Sequence, residues 1–262
     1  MKCKIEKSSI SGEIVCPANK SYTHRAVFLS ALSDGKSIIK KMLNSNDTNA
    51  TISACRAFGV EVDESDDTLT IENSIGSTIQ GSMINAQNSG TTIRIATAIA
   101  ALSGGTTELT GDNSLKKRPM KPLLDSLEEL GITTESDDGK PPIIIKGKIH
   151  GNKVNIKGDI SSQFISALLI IAPRLENGLT IEIDGNVVSK PYIDLTITTM
   201  KKFGADVKTI EPYKKYSITH QIYKPTTFTI PSDFSNLALL LSANVLLGDN
   251  LKIKINLGEL PQ

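Results

Sequence analysis

Four serines, Ser21, Ser89, Ser162 and Ser235, lie 68, 73 and 73 residues apart, and the same pattern surrounds each of them. A strand-like run leads into a polar turn, then a largely apolar helix, a turn and a second strand. The first copy opens with the strand 12–16, and the others fill residues 84–109, 154–183 and 228–255. A period near 70 residues is that of a repeated supersecondary unit, which confines the chain to copies of one local fold stacked together.

The first three copies have a second half. Segments 47–58, 118–130 and 190–203 read as amphipathic helices, each followed by a glycine, Gly59, Gly131 or Gly204. Met120, Leu123, Leu124, Leu127 and Leu130 follow the three-and-four spacing of a helix with one buried face. Polar hairpin tips at 63–67, 136–139 and 213–215 then lead to short strands at 69–71, 143–145 and 216–218. The unit is therefore βαβαββ and the class α/β (α+β), with three full units and half of a fourth. The chain stops at Pro261-Gln262, where the second helix of the fourth unit is due, so a truncated C-terminus is expected.

The first helix of each unit is apolar nearly all round and must be buried, so these helices should cluster inside the sheets with their N-termini at one end. In the first copy Pro17 ends the strand, Ser21 is the expected N-cap, Ala26, Val27, Leu29, Ala31 and Leu32 are apolar, and Gly35 closes the helix. The charges at these ends have the wrong sign. Lys20, Arg25, Arg94, Arg118 and Lys190 stand at expected helix starts, the last two before Pro119 and Pro191, where the helix dipole favours anions. Ser21, Asn88, Ser89, Gly90, Thr91, Ser161, Ser162, Gln163, Ser189 and Tyr192 accompany them. Each alone has a plain reading as an N-cap, a tight turn or a packing residue. Together, at equivalent points of a repeat, they describe a site for a small polyanion. Lys116 and Lys117 read as a solvated basic loop.

Composition narrows the ligand. The net charge of +1, from 29 basic and 28 acidic residues, supplies no field to draw nucleic acid or a membrane surface. With no tryptophan and 4% aromatic residues there is little to stack on bases. Cys3, Cys16 and Cys55 are too few and too scattered for a disulfide framework or a zinc site, and His24, His150 and His220 have no metal-ligand spacing. No apolar run spans a bilayer. The expectation is a cytoplasmic protein without a metal, whose partners are small molecules.

The segments Asn19-Lys20-Ser21-x-x-x-Arg25-Ala26, Asn88-Ser89-Gly90-Thr91-x-x-Arg94, Gly111-Asp112 with Arg118-Pro119, Ser161-Ser162-Gln163-Phe164 and Ser189-Lys190-Pro191-Tyr192-Ile193-Asp194 occur in this order along the chain. With them the sequence resembles the enolpyruvyl transferases, and within that family the members that act on shikimate 3-phosphate. The resemblance covers essentially the whole chain. It implies an inverse α/β barrel architecture of two domains, each of three βαβαββ units. Residues 16–227 would then form one complete domain, with 1–15 and 228–262 part of the second and the crossovers acting as hinges.

The resemblance further implies transfer of the enolpyruvyl group of phosphoenolpyruvate to the 5-hydroxyl of shikimate 3-phosphate, without a cofactor, by a protein that is monomeric at full length. By motif, Ser161, Ser162 and Ser189 would hold the shikimate phosphate, with Gln163 between the two substrates. Ser21, Arg25 and Tyr192 would hold the shikimate carboxylate and ring. Lys20 would be the catalytic lysine, touching both substrates, and Gly90, Arg118 and Gln163 would meet phosphoenolpyruvate. Asn88, Thr91, Arg94 and Lys190 would support these.

The sequence departs from the family at Asn19 and His24, and in the fourth unit keeps only Asp233 and Ser235 of the usual motif. The family's catalytic Asp and Glu, two arginines and a lysine lie beyond Gln262, so this chain alone is expected to be inactive. The sister transferase acting on UDP-N-acetylglucosamine is disfavoured by Lys20-Ser21 and by a cysteine-free loop 111–118. A non-catalytic ligand-binding fragment and an RNA-terminal phosphate cyclase remain as rivals, the latter disfavoured by net charge.

Overall fold

The computed structural model describes residues 9–73 and 79–258; Cys3 and Pro261-Gln262 lie outside them. Three four-stranded sheets carry the repeat. In the second unit β5 (Met83–Asn85), α3 (Gly90–Ala100), β6 (Thr106–Thr110), α4 (Lys121–Glu129), β7 (Thr133–Asp137) and β8 (Lys140–Lys146) make a sheet of order β5-β6-β8-β7. The third unit repeats it with β9 (Lys153–Lys157), α5 (Ser162–Ile171), β10 (Leu179–Asp184), α6 (Pro191–Lys202), β11 (Lys208–Glu211) and β12 (Lys215–Ile218). In both sheets the first two strands are parallel and the hairpin pair antiparallel. A non-glycine residue at each hairpin tip, Asp66, Asp138 (followed by Gly139) or Tyr213, takes the left-handed conformation that lets so short a turn close.

The first unit departs from the repeat pattern. Its helices α1 (Lys20–Leu32) and α2 (Asn46–Ala57) and strands β2 (Gly35–Lys40), β3 (Glu61–Ser65) and β4 (Thr68–Asn73) are in place. Its opening strand is not the one before α1, however. The fourth position in that sheet is taken by β13 (Thr227–Thr229), parallel to β2. The N-terminal strand β1 (Ile10–Val15) instead pairs in parallel with β14 (Gly248–Lys254), after α7 (Phe234–Leu247). The first and fourth copies have exchanged their leading strands. Residues 16–19 and 230–233 form the two crossovers and run side by side. Asn19 N–H donates to Pro231 O at 2.8 Å, and Asp233 N–H to Pro17 O at 2.8 Å.

Burial follows the apolar character of the first helices. In α1 all residues from Tyr22 to Leu32 are buried, and α3 and α5 are buried along nearly their whole length. α2, α4 and α6 bury one face each, against the same core. α7 buries none of its residues; Leu239, Val245 and Leu246 are exposed.

Candidate anion site at the helix N-termini

The caps set the geometry of the site, and in α1, α5 and α7 they sit one or two residues before the aligned serine, while in α3 the aligned Ser89 is the cap. Asn19, not Ser21, caps α1, its side chain accepting from Tyr22 N–H at 3.0 Å. Asparagine is as good an N-cap as serine, and Ser21 falls inside the first turn. Ser89 caps α3 and Ser161 caps α5, accepting from Thr92 N–H and Gln163 N–H, both at 3.3 Å. At α7 the cap is Asp233, whose carboxylate accepts from Ser235 N–H at 2.9 Å, so Ser235 is within the helix. Gly90, Thr91, Ser162 and Gln163 therefore lie in first turns.

Arg118 departs from expectation. The residue before a proline avoids the helical region, and Arg118 is extended (φ −82°, ψ 133°), following the short 3-10 turn Leu115–Lys117. α4 begins only at Lys121, so Arg118 reaches the site from a loop instead of a helix start. Lys190 stands immediately before Pro191, the first residue of α6, as expected. Its ammonium lies 5.0 Å from the centre of the Tyr213 ring, a cation–π contact, and Tyr213 donates to Asp194 at 2.8 Å.

One cluster forms around Gly90. Arg94 donates to the Gln163 side-chain oxygen at 2.6 Å and stacks over Phe164, 5.2 Å from its centroid. Gln163 donates in turn to Thr91 Oγ1 at 3.1 Å, and Arg118 donates to Asn88 Oδ1 at 3.1 Å. A β-carbon placed on Gly90 would lie 2.4 Å from Arg118 Nη1 and 3.0 Å from Arg94 Nη1, so two guanidinium groups close on the glycine at the start of α3. Among the described residues no carboxylate pairs with either arginine. Burial and the neighbouring Arg118 charge push Arg94 down to about 10. Two like charges at the positive end of a helix, without a counter-charge, make a place where an anion is stabilised by charge-assisted hydrogen bonds.

A second cluster surrounds Arg25, which is 1% exposed. Its Nε donates to Thr196 Oγ1 at 2.7 Å, Nη1 to Ser21 O at 3.1 Å, and Nη2 to Ser166 Oγ at 3.2 Å and Tyr192 O at 3.4 Å. Of its five N–H groups one, on Nη1, is left for a ligand. Burial, only partly offset by Tyr192 and Tyr22, pushes Arg25 down to about 10.

At the mouth Lys20 pairs with Asp47 of α2 at 2.9 Å. Ser162 is buried in the first turn of α5, whereas Ser189 and Tyr192 are exposed. Ser189 takes φ 55°, a conformation disfavoured by its β-carbon. Among the described residues no hydrogen bond ties Ser189 to Ser161 or Ser162. Residues that motif reasoning passed over include Asp47, Ser166, Thr196 and Tyr213. Only Asp47, an acid in the first turn of the helix after Lys20, left a trace in the sequence.

No group of three or more His, Cys, Asp or Glu side chains is gathered for a metal among the described residues. Cys16 and Cys55 are free and buried. Among them, too, no helix is long and apolar enough to cross a membrane. A cavity of about 530 Å³ lies past the C-terminal end of α3, lined by Leu102, Lys148, His150, Arg174 and Glu176. It is at the opposite end of that helix from the arginine cluster, and its Lys148–Glu176 and Arg174–Asp34 pairs leave it no unmet charge.

Residues 5–258 match the family described as EPSP synthase (3-phosphoshikimate 1-carboxyvinyltransferase). The 3-phosphoshikimate 1-carboxyvinyltransferase of Nitrosopumilus maritimus is 56% identical over 262 residues, 100% of this chain and 62% of that protein. That of Methanocorpusculum labreanum is 45% identical over 252 residues, covering 95% of this chain and 59% of the relative. The chain thus spans about three fifths of the length of these curated relatives. Among solved structures, an EPSP synthase from Acinetobacter baumannii superposes with a TM-score of 0.78 at 23% identity, covering 97% of this chain and 57% of that one. The enolpyruvyl transferase NikO from Streptomyces tendae gives 0.72 at 18% identity over 94% of this chain and 58% of that one. At these identities the structural likeness speaks to fold, and it is the inverse α/β barrel type.

Proposed function

The chain belongs to the EPSP synthase family, and from that premise we propose that it builds the shikimate-phosphate side of an enolpyruvyl transfer site and part of the phosphoenolpyruvate side. The observation that carries this reading is the pair of arginines, Arg94 and Arg118, closing on Gly90 at the start of α3 without a carboxylate partner. Phosphoenolpyruvate brings a phosphate and a carboxylate, and shikimate 3-phosphate brings the same two groups.

In this reading Ser161, Ser162 and Ser189 hold the shikimate phosphate. Ser21, Tyr192 and the one unspent Nη1–H of Arg25 orient the carboxylate and ring, while the rest of Arg25 fixes α1 to α5 and α6. The Gly90 amide, Arg118 and Gln163 meet phosphoenolpyruvate, with Asn88, Thr91 and Arg94 holding that loop in shape. Lys190, on the Tyr213 ring, sets the turn that presents Ser189. Lys20, which Asp47 holds between the first turns of α1 and α2, stands where charge develops and is the catalytic lysine.

Protonation of the phosphoenolpyruvate methylene gives an oxocarbenium-like carbon, and the 5-hydroxyl of shikimate 3-phosphate adds to it with loss of its proton. Elimination of phosphate from the tetrahedral intermediate, with loss of a proton from the new methyl group, restores the double bond. The product is 5-enolpyruvylshikimate 3-phosphate plus phosphate. Fixed cations and helix dipoles stabilise the developing charge, and no cofactor enters. We assign residues 16–229 to one domain, two residues beyond the expected end at 227 because β13 completes the sheet of the first unit, and β1, α7 and β14 to a second, in a cytoplasmic protein that is monomeric at full length.

Calorimetric titration of shikimate 3-phosphate into the chain tests this. We expect saturable binding, weakened about tenfold or more by Ser162→Ala, as loss of one hydrogen bond to a charged group implies. Binding that is absent, or indifferent to Ser162→Ala, refutes the assignment.

A further inference from the structure

A row of four polar side chains runs through the core just beneath the first turns of α1, α2 and α3. His24, fully buried, has its Nδ1 2.6 Å from Thr51 Oγ1. Thr51 Oγ1 lies 2.7 Å from Thr92 Oγ1, and Thr92 donates its hydroxyl to Ser89 Oγ at 2.6 Å. Ser89 is the cap of α3, and the same Thr92 hydroxyl lies 3.3 Å from the backbone oxygen of Asp47. The row therefore joins the three helix ends that carry Lys20, Asp47 and Gly90.

Each hydroxyl has one hydrogen to give, and that settles the order of donation. Thr92 directs its hydrogen to Ser89 Oγ or to the Asp47 carbonyl, so the short contact with Thr51 requires Thr51 to be the donor. Thr51 has then no hydrogen for His24 and must accept from it. The proton of the imidazole is on Nδ1, and Nε2, which is buried without a hydrogen-bond partner, is a bare lone pair. A second proton on Nε2 would be an unmet buried donor. Burial first, then the Arg25 and Lys20 charges against the opposing pull of Asp47, push His24 down to about 3, so the ring stays neutral.

We propose that His24, Thr51 and Thr92 are positioning residues for the anion site at Gly90. The Nδ1-protonated ring fixes the direction of both threonine hydroxyls, and these lock the Ser89 cap so that the Gly90 amide and Arg94 face the ligand at a set distance from Lys20 and Asp47. The inference rests on reading the Gly90 cluster as the phosphoenolpyruvate side.

The test uses the whole chain, with ¹⁵N spectra of the His24 ring and titrations of phosphoenolpyruvate and shikimate 3-phosphate. We expect His24 protonated on Nδ1 alone from pH 5 to pH 8. Thr92→Val should weaken phosphoenolpyruvate binding about tenfold, as loss of one buried hydrogen bond does. Shikimate 3-phosphate affinity should stay within about twofold, because Ser162 on α5 and its cap Ser161 lie outside the row. Thr92→Ser, which keeps the hydroxyl, should restore the loss, and Thr51→Val provides a second break if Thr92→Val does not fold. A ring protonated on Nε2 overturns the proposal, as does a loss shared equally by both ligands or absent for both. A wild-type chain that binds no phosphoenolpyruvate overturns the ligand assignment, and the ring spectrum then decides the donation order on its own.

Discussion

Replacing Gly90 by alanine separates binding from stability in this site. The β-carbon would stand 2.4 Å from Arg118 Nη1 and 3.0 Å from Arg94 Nη1, and one of the two must yield. Arg94 is held by Gln163 at 2.6 Å and by the Phe164 ring, whereas the Arg118 side chain has Asn88 at 3.1 Å. Arg118 is the group that moves, by roughly 1 Å to regain ordinary contact. Stability should hardly change: Gly90 opens α3 with an ordinary backbone, where alanine contributes about 0.4–1 kcal/mol. Loss of the exposed Asn88 contact offsets about the same amount. For the ligand there is no such offset. A shift of that size removes one charge-assisted hydrogen bond, about 1.5–3 kcal/mol, or roughly 10- to 150-fold in affinity. Calorimetry of phosphoenolpyruvate in the presence of shikimate 3-phosphate, alongside thermal melts of the same samples, reads both quantities. Gly90→Ala binding within twofold of the parent would refute the argument, because it would mean that Arg118 is not a ligand or does not move.

Two further outcomes follow from buried charge. Arg25→Lys replaces a planar fork that serves four acceptors by a single ammonium, and should cost about 2 kcal/mol, read as a Tm lower by roughly 4–8 °C. His24 is neutral in the fold, with a pKa of about 3, but takes up a proton near 6.5 when unfolded. Its contribution is complete above about pH 6.5 and is lost as the pH falls toward 3, amounting to about 2 kcal/mol between pH 7 and pH 5. Urea denaturation at the two pH values should show that part of the loss disappear in His24→Asn; an unchanged difference would refute it.

Much of this was legible in the sequence, because periodicity and turn chemistry act locally. The βαβαββ order of the second and third units, the tips at Asp66, Asp138 and Tyr213, and the buried first helices all follow from nearest-neighbour pattern. What the pattern could not reveal is pairing at a distance. The runs 12–16 and 227–229 are both short and strand-like, and nothing local says which of them lies beside β2. The caps slipped for a related reason: Asn19 and Ser21 are both good capping residues, and the backbone at Pro17 and Ala18, tied to the other crossover, decides between them. Arg118 falls outside the helix because its proline is not the helix start: Pro119 and Met120 intervene before α4. The Arg25 partners Thr196 and Ser166 were invisible, since a threonine or serine on the buried face of a helix carries no outward sign of what it faces.

The strand exchange between the ends of the chain also dictates an order of assembly. The second and third units close their own sheets from neighbouring sequence, so each is able to form as soon as it leaves the ribosome. Of the three four-stranded sheets, that of the first unit is begun earliest yet closed last, since it lacks its fourth strand until β13 has been synthesised; the contact from Thr226 N–H to Ser37 Oγ spans 189 positions. Until then β2 presents an open parallel edge beside a buried helix, which is the arrangement most exposed to mispairing with another nascent chain.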